Sequence, residues 1–415
     1  MNSRGVVMKY AIATLTAAGL IASFILYSLI VAPLPVRSGE RIELLNLGSN
    51  AKVFFNERGI PVIQADSEED AYRVLGYVQA SNRLFQMDLS RRLGCGRLAE
   101  LFGERAIPVD SYFRTLGIRN FAVEKVAEPK FLKTDSYLFS KAYVEGINAY
   151  IANGGTSLDY WIADVEPAEF SVEDLICVNG NLAHNFAKAL SDDVLTSHIW
   201  SVLGPDYAEG LVYTSNPMHA NGTTEKGRLQ VPGNVHDGFT KLASLVKDFR
   251  SSYPVGWLEG SNSWVMSAER AQQPHPVLVN DPHIGFGMPS VWFEAAIITP
   301  TFRKHGFFLS GVPFAVLGHD ENLAWGLTML QNDDMDFFVE TCADPECQTY
   351  RTPAGTQQFS SRVETIKVKD GKTVELKVRL SRHGPIMNGV LDELAETRPV
   401  AMRWSFTDGI NEGFE

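Results

Sequence analysis

The spacing of the apolar residues changes once along this chain, and the change limits the folds that the chain can adopt. From Ala71 onward, apolar residues recur at helical spacing to about Leu203, with glycine-containing breaks. From Ser261 the pattern becomes short runs of β-forming residues separated by Gly, Pro and Asn. A polar stretch from about Thr214 to Gly260 lies between the two patterns. We therefore predict an α+β chain in which helices precede most of the strands and a spacer separates them.

The residues before the first helix predict a strand pair. Residues 51–65 alternate in polarity and contain Arg58-Gly59-Ile60-Pro61, which is typical of a turn. Ser67 is followed three residues later by Asp70, a spacing that favours a helix N-terminus. With 415 residues, of which 45% are hydrophobic, the chain is able to form a large core. We expect one large folded unit.

The N-terminal segment predicts export. Residues 10–32 carry no charge, and Arg4 and Lys9 precede them, so the basic end is expected to stay in the cytoplasm. The apolar run is longer than a usual signal-peptide core, and Val31-Ala32-Pro33 offers no clear cleavage site. We expect residues 1–35 to be an uncleaved membrane anchor, with a cleaved signal peptide as the alternative. In both cases the rest of the chain is expected to be periplasmic or otherwise extracytoplasmic.

Charge and cysteine usage exclude two classes of partner. The net charge of −12 is spread along the chain, and no Lys/Arg cluster alternates with aromatic residues, so nucleic acid is not expected to bind. The four cysteines, Cys95, Cys177, Cys342 and Cys347, have no CxxC spacing, so zinc is not indicated. In an oxidising compartment Cys342 and Cys347 are able to close a small loop; two free thiols are the alternative.

A serine and a histidine are predicted to lie close together. Ser261 is expected to open a strand, and a second run, Pro276 to Val279, ends at Asn280-Asp281-Pro282-His283. Antiparallel pairing sets the start of one strand against the end of the next, so the Ser261 hydroxyl and the His283 imidazole are brought together. Spacing alone is weak evidence for catalysis, because a serine beside a glycine is usually in a turn and a lone histidine is usually structural.

Two motifs in this region resemble the cleavage junction of the penicillin acylases and the related acyl-homoserine-lactone acylases. They are Gly260-Ser261-Asn262-Ser263-Trp264-Val265 and, at the matching distance, Asn280-Asp281-Pro282-His283. The resemblance covers roughly residues 45–415. Further motifs follow in the order of that family: Gly59-Ile60-Pro61, Gly76-Tyr77-Val78-Gln79-Ala80, Asn82-Arg83-Leu84-Phe85-Gln86-Met87-Asp88, Gly318-His319, Ala324-Trp325-Gly326 and His383-Gly384-Pro385.

The resemblance implies a four-layer αββα sandwich of the N-terminal-nucleophile type and a proenzyme cut into α and β subunits. Residues 36–213 would form the mostly helical α-subunit region, residues 214–260 the spacer, and residues 261–415 the N-terminal part of the β subunit. The Ser261 hydroxyl would attack the Gly260 carbonyl, and hydrolysis of the resulting ester would free an α-amino group. Such an amine has a reference pKa of about 7.7–8.0, so a useful fraction is neutral at pH 7 and able to act as the base.

The resemblance also assigns roles to residues around the nucleophile. The backbone N–H of Met329 matches the family's first oxyanion donor, and any side chain is compatible with that role; the alternative is that Met329 belongs to the core. The second family donor, an Asn side chain, is expected beyond residue 415. His283 matches a position that is His in many of these acylases and Gln in others, where it would orient water or the Ser261 amine. A structural histidine is the alternative.

A calcium site is a further implication. Asp333, Asp334 and Asp336 form an acidic turn, and such oxygen ligands suit Ca²⁺, although most clusters of this kind are solvated turns. The family's structural calcium site would use Asp333, the Met335 carbonyl, Asp336 and an acidic residue matching Asp192. No organic cofactor is expected.

The acyl pocket of the family is apolar, and three positions of this chain match it. Phe186 corresponds to an aromatic residue of the α subunit, whereas Ile284 and Leu317 stand where phenylacetyl-specific relatives have aromatic rings. Without those rings, stacking on a phenyl group is lost, and we expect a preference for aliphatic acyl amides. The alternative is that these residues are ordinary core.

The resemblance therefore implies a self-processing amidohydrolase that cleaves a linear carboxamide, such as an N-acyl-homoserine lactone or a β-lactam side chain. Its expected partners are the small-molecule substrate, its own α and β fragments, and the membrane if the N-terminal helix is retained. The alternative is a truncated, inactive family member or a split-gene fragment that acts at most as an anchored binding module.

Overall fold

The computed structural model describes residues 41–187, 258–329, 334–390 and 398–409, together with residues 16, 18–23, 39, 199 and 203. In these ranges helices dominate the first part of the chain and strands the second, so the α+β prediction is confirmed. The helices are α1 (Glu68–Cys95), α2 (Ala99–Phe102), α3 (Ile107–Leu116), α4 (Ile118–Ala127), α5 (Asp135–Ala152), α6 (Leu158–Ala163), α7 (Val172–Phe186) and α8 (Ala268–Ala271). The strands are β1 (Lys52–Phe55), β2 (Pro61–Gln64), β3 (Leu258–Met266), β4 (Val277–Ile284), β5 (Trp292–Ile298), β6 (Arg303–Leu309), β7 (Leu317–His319), β8 (Ala324–Trp325), β9 (Met335–Val339), β10 (Thr349–Thr352), β11 (Gly355–Gln358), β12 (Ser360–Ile366), β13 (Val374–Ser381), β14 (Gly384–Pro385) and β15 (Val400–Trp404).

The first strands and the first helix follow the local signals of the sequence. Strands β1 and β2 form an antiparallel hairpin, and Gly59 in its turn has φ +74°, a conformation that glycine adopts without steric cost. The Ser67 hydroxyl accepts a hydrogen bond from the Asp70 backbone N–H at 3.1 Å and so caps α1. At its other end, α1 terminates at Gly96, whose φ is +62°. Both predictions for this part of the chain are confirmed.

A six-stranded sheet has the order β1-β2-β5-β6-β7-β8. Strand β2 pairs with β5 in parallel, and the other neighbours pair in antiparallel fashion. One face of this sheet contributes Ile63, Ala295 and Ile297 to a fully buried cluster that also contains Leu75 of α1 and Tyr143 of α5. Long helices therefore cover one face of the sheet, and apolar burial on this scale is the main force that holds the layers together.

A second core joins the helices to strands late in the chain. Tyr112 and Phe113 of α3 are buried together with Met335 of β9 and with Val400 and Trp404 of β15. Strands β9 and β15 pair in antiparallel register, with Met335 opposite Trp404. Residues before the predicted cleavage point and residues far after it therefore share one hydrophobic core.

The four cysteines form two disulfides in the structure. Cys342 bonds to Cys347, the pair that the sequence singles out, and Cys95 at the end of α1 bonds to Cys177 in α7. The second bond was not predicted, because its partners are separated by 82 residues. Gly94 explains their proximity: a Cβ added there would lie 2.0 Å from the Cys177 carbonyl oxygen, so the missing side chain lets the two helices meet.

Some predictions concern residues that the structure does not describe. The predicted anchor at residues 10–32 lies mostly outside the described residues, and so does the predicted spacer as far as residue 257. Among the described residues, no helix combines the length and the apolar character that crossing a bilayer requires.

Candidate active site

Strands β3 and β4 form the antiparallel hairpin that the sequence predicts. Ser261 lies opposite Pro282, and Gly260 lies opposite His283. The expectation that Ser261 opens the strand is wrong, however, because β3 begins at Leu258, which pairs with Ile284. The Gly260–Ser261 peptide bond therefore lies within a continuous strand, close to its N-terminal end.

The hydroxyl and the imidazole project to opposite faces of this hairpin. Side chains alternate along a strand, and directly opposite residues share a face, so His283 shares a face with Gly260 and not with Ser261. The His283 Nε2 atom lies 3.2 Å from Asn262 Nδ2 and 3.1 Å from Asp281 Oδ2, both on that face. The predicted pairing is confirmed in register, but the direct meeting of hydroxyl and imidazole is wrong, because strand alternation separates them.

The hydroxyl of Ser261 instead meets a backbone donor. The Met329 N–H donates to Ser261 Oγ with a donor–acceptor distance of 3.3 Å. Met329 belongs to residues 326–329, which follow β8 without regular secondary structure, and the structure brings these residues beside β3 and β4. Of the predicted catalytic residues, Ser261 and Met329 are thus in direct contact, and His283 lies beside Gly260.

Asn280 links these segments, although in the sequence it stands out only as part of a motif. The Asn280 side-chain oxygen accepts a hydrogen bond from Leu327 N–H at 3.0 Å. Its amide nitrogen donates to the Leu327 carbonyl at 3.0 Å and to the Asn262 carbonyl at 3.1 Å. The signal in the sequence was the Asn280-Asp281-Pro282-His283 motif, which did not distinguish Asn280 from its neighbours.

The site is open to solvent on the His283 face. The side chains of His283 and Asp281 are 47% and 62% exposed, so water screens their attraction and weakens it. Gly260 and Ser261 are half-buried. Chemically, the arrangement offers an accessible hydroxyl with an N–H donor beside it, and an imidazole next to the preceding peptide.

The predicted calcium ligands are only partly described. Met335 is buried and Asp336 is exposed on β9, opposite Arg403 of β15. Asp192 and Asp333 lie outside the described residues. Within the described ranges, no three acidic, histidine or cysteine side chains form a group suited to a metal.

The predicted acyl-pocket residues lie on three different elements. Phe186 ends α7 and is 42% exposed, Ile284 ends β4, and Leu317 of β7 is 9% exposed. Leu317 lies opposite Phe307 in the six-stranded sheet. No hydrogen bond or buried apolar cluster joins Phe186, Ile284 and Leu317 within the described part of the chain.

Comparison with known proteins identifies one family and relatives that are named as acylases. Residues 50–415 match the family model described as penicillin amidase. The chain is 28% identical over 367 residues to the acyl-homoserine lactone acylase QuiP of Pseudomonas aeruginosa, and the match covers 87% of this chain and 42% of that protein. It is also 28% identical over 372 residues to the penicillin acylase 2 proenzyme of Pseudomonas sp. (strain SE83), covering 86% of this chain and 46% of that protein.

The chain therefore spans less than half the length of these curated relatives. Among solved structures, the thermostable penicillin G acylase of Alcaligenes faecalis is similar at 21% identity and a TM-score of 0.34, and the match covers 44% of this chain and 98% of that chain. A TM-score of this size is too low to support an inference about the fold.

Proposed function

Because the chain belongs to the penicillin amidase family, we propose that it is a self-processing amidohydrolase that cleaves a linear carboxamide and releases an acyl group, with Ser261 as its nucleophile. The observation that most supports this function is the Met329 N–H placed 3.3 Å from Ser261 Oγ. A backbone N–H beside a serine hydroxyl is able to stabilise the negative charge that develops when the hydroxyl attacks a carbonyl.

Self-cleavage would be the first reaction. The Ser261 hydroxyl attacks the Gly260 carbonyl carbon, the C–N bond breaks, and the acyl group moves from nitrogen to oxygen as an ester. Water then hydrolyses the ester, which leaves the carboxylate of Gly260 and a free α-amine on Ser261. Such an amine has a pKa of about 7.7–8.0, well below that of lysine, so part of it is neutral at pH 7.

Turnover would use the same groups. The neutral α-amine accepts the proton of the Ser261 hydroxyl as the oxygen attacks the substrate amide, and the Met329 N–H donates to the oxyanion. Removal of one such donor has cost about 3 kcal/mol of barrier in an enzyme where it was tested. The α-ammonium returns this proton to the substrate nitrogen as the C–N bond breaks, so that the leaving group departs as a neutral amine. Water, deprotonated by the α-amine, then hydrolyses the acyl ester and regenerates the Ser261 hydroxyl.

His283 would act on the amine rather than on the hydroxyl. Its ring lies beside Gly260, since a Cβ added to Gly260 would be 3.6 Å from His283 Nδ1. Gly260 is bonded to the Ser261 nitrogen, the atom that self-cleavage would turn into the new N-terminus. We propose that His283 orients the Ser261 amine or a water molecule bound to it, while its Nε2 atom either accepts from the Asn262 amide or donates to the Asp281 carboxylate.

The four-layer αββα sandwich is the finer fold that we propose. The helices over one face of the six-stranded sheet account for one helical and one β layer. The hairpin of β3 and β4 would belong to the second β layer, with the nucleophile at its edge.

We also propose a structural Ca²⁺ ion between the two subunits. Asp333, the Met335 carbonyl, Asp336 and Asp192 would supply hard oxygen ligands, which suit this ion. The described residues support one of these ligands. Asp336 is exposed, and Arg403, its cross-strand partner, bonds to Asp408 at 2.7 Å, so the Asp336 carboxylate is accessible to an ion. Addition of Ca²⁺ to metal-free protein should raise the midpoint of thermal unfolding; an unchanged midpoint would exclude the site.

Export from the cytoplasm is the remaining part of the proposal. The disulfides Cys95–Cys177 and Cys342–Cys347 favour an oxidising compartment such as the periplasm. Residues 10–32 would serve as the membrane anchor or as part of a cleaved signal. An immunoblot of separated membrane and periplasmic fractions tests which of the two applies: an anchored chain should stay in the membrane fraction, whereas a chain with a cleaved signal should appear in the periplasmic fraction.

Hydrolysis of matched amides tests the proposed activity. Octanoyl-homoserine lactone and its phenylacetyl counterpart differ only in the acyl group, and release of the primary amine reports cleavage of both. Because Ile284 and Leu317 lack aromatic rings, the octanoyl amide is expected to have the higher kcat/KM. The Ser261→Ala protein is the control and should release no amine; amine release at the wild-type rate by this variant would contradict the mechanism, and a higher kcat/KM for the phenylacetyl amide would contradict the acyl preference.

A further inference from the structure

The side chain of Asn280 joins three stretches of backbone at the candidate active site. Asn280 lies in β4, and its amide nitrogen donates to the Asn262 carbonyl of β3 at 3.1 Å. The same nitrogen donates to the Leu327 carbonyl at 3.0 Å, and the Leu327 N–H donates to the Asn280 side-chain oxygen at 3.0 Å. A planar amide that bonds to both the N–H and the C=O of one residue fixes the position and the direction of that residue's backbone.

A glycine makes this approach possible. A Cβ added to Gly326 would lie 2.6 Å from the Asn280 side-chain oxygen and 2.7 Å from its amide carbon, distances that Cβ atoms do not tolerate. Gly326 therefore lets the amide of Asn280 reach the backbone of Leu327. The contact between the Asn280 side chain and the Leu327 backbone therefore requires both an asparagine at position 280 and a glycine at position 326.

The segment held by Asn280 is the one that presents the proposed oxyanion donor. The N–H and the C=O of Leu327 both bond to Asn280, as the two groups of one residue do on the same edge of an extended chain. In such a chain the N–H groups of residues i and i+2 point to the same side. Leu327 and Met329 are related in this way: the Leu327 N–H points to Asn280, and the Met329 N–H points to Ser261 Oγ at 3.3 Å. Fixing the backbone at Leu327 therefore also fixes the direction of the donor two residues later.

We propose that Asn280 is a positioning residue, whose side-chain amide holds the Leu327–Met329 backbone against β3 and β4 so that the Met329 N–H points to the reacting centre. This inference rests on the proposed function, and it adds a residue whose three side-chain hydrogen bonds all go to backbone atoms. Asn280 acts through Met329 in both self-cleavage and turnover.

Four variants of the full chain test the inference. Asn280→Ala removes all three hydrogen bonds, whereas Asn280→Asp has the same shape and retains only the acceptor for Leu327 N–H. Gly326→Ala leaves Asn280 in place and blocks its approach. Asn322→Ala is the matched control, because Asn322 is exposed in the loop before β8 and its backbone N–H bonds to Asp320.

Two rates and one stability are measured. The first rate is the appearance of the new N-terminus at Ser261. The second is sulfonylation of Ser261 by phenylmethylsulfonyl fluoride in the cleaved protein, separated into the reagent's binding constant KI and the maximal rate kinact. The midpoint of thermal unfolding reports any general loss of structure.

A misplaced catalytic group costs about 100-fold in rate, so Asn280→Ala is expected to slow both self-cleavage and kinact by about that factor. Asn280→Asp should slow them by about tenfold or more, because it loses both hydrogen bonds that the Asn280 amide nitrogen donates and places a carboxylate oxygen against the Asn262 and Leu327 carbonyls. Gly326→Ala should slow both, and Asn322→Ala should leave both unchanged. KI should stay the same in all variants, because the inferred role of Asn280 is to direct the Met329 N–H and not to bind the reagent.

The outcomes separate this inference from the proposed function. If the wild-type chain never cuts itself before Ser261, the proposed function fails, and the inference fails with it. If the wild type cuts itself and Asn280→Asp folds and reacts at the wild-type rate, the inference alone is overturned. A lower unfolding midpoint with unchanged kinact would assign Asn280 a purely structural role and would also overturn it. Should Asn280→Ala not fold, Asn280→Asp and Gly326→Ala decide the question.

Discussion

The two residues at the predicted cut differ in how much their side chains matter in the uncut chain. Ser261 supplies the hydroxyl that accepts a hydrogen bond from Met329 N–H. At Gly260, a Cβ would meet its nearest neighbour, His283 Nδ1, at 3.6 Å, which is an ordinary van der Waals distance. The glycine that precedes the proposed nucleophile is therefore not required by close packing in the uncut chain.

Gly260→Ala should therefore fold and still cut itself. An added methyl group in an extended strand fits the available space, so we expect the cleavage rate to change by less than about tenfold, which corresponds to about 1.4 kcal/mol of barrier. The measurement is the time course of cleavage followed by intact mass, beside the wild type. A chain that folds but remains uncut would show that a Cβ at this position interferes with attack on the carbonyl.

At the scale of single elements, the start of α2 depends on a buried carboxylate. Asp110 of α3 is fully buried and accepts hydrogen bonds from the Leu98 and Ala99 backbone N–H groups at 2.8 and 2.7 Å. Burial raises the pKa of Asp110 to about 7, although the two N–H donors and Arg114 oppose the rise. The ionised form is thus disfavoured in the folded chain relative to the unfolded chain.

The sign of the pH dependence follows from this shift. Because the folded-state pKa is raised, the contribution of Asp110 to the free energy of unfolding is fully present below its ordinary pKa of 3.8 and is lost as the pH rises through about 7. Asp110→Asn removes this contribution. Between pH 3.8 and about 7, the difference in the free energy of unfolding between wild type and Asp110→Asn should therefore change by up to about 1.4 kcal/mol per pH unit. Urea unfolding in the Ser261→Ala background at several pH values measures it. Parallel pH profiles would contradict the assignment.

The two disulfides close loops of very different length. Cys95–Cys177 spans 82 residues and Cys342–Cys347 spans 5, and loop-closure entropy in the unfolded chain grows with that span. Replacement of both cysteines of a pair by alanine should lower the free energy of unfolding by about 4.5 kcal/mol for Cys95–Cys177 and by about 2 kcal/mol for Cys342–Cys347. Urea unfolding compares the two double variants, each serving as the control for the other. Equal costs would show that loop entropy does not set their contributions.

Local features of the structure could be predicted from the sequence, whereas contacts between distant segments could not. The cap at Ser67 and the register of β3 with β4 follow from local patterns, and both are confirmed. The face on which His283 lies was missed because the proximity of two strand ends does not determine side-chain direction. The Cys95–Cys177 bond and the contacts of Asn280 depend on backbones that approach at Gly94 and Gly326, and such approaches are set by tertiary packing rather than by spacing along the chain.

At the scale of the whole molecule, the parts on either side of the predicted cut are packed together. Arg114 bonds to Glu364 at 3.3 Å, and the Arg362 guanidinium donates to the carbonyls of Arg114 and Thr115 at 2.9 and 2.7 Å. These bonds surround the shared core of α3, β9 and β15. Each disulfide lies entirely on one side of the cut, so neither links the two fragments.

The two fragments should therefore stay associated after cleavage through noncovalent contacts alone. We expect a single peak in size-exclusion chromatography under native conditions, and two bands on a denaturing gel without reducing agent. The uncut Ser261→Ala chain should elute at the same volume as the cleaved wild type. Separate native peaks for the two fragments would show that the shared core is insufficient to hold them.

The mass of the wild-type protein after folding tests the central claim most directly. If Ser261 is the nucleophile of self-cleavage, denaturing mass spectrometry should find a fragment whose N-terminal residues are Ser261-Asn262-Ser263, and the Ser261→Ala protein, folded under the same conditions, should remain one chain. A wild-type chain that is folded yet uncut, or a new N-terminus at another residue, would contradict the account.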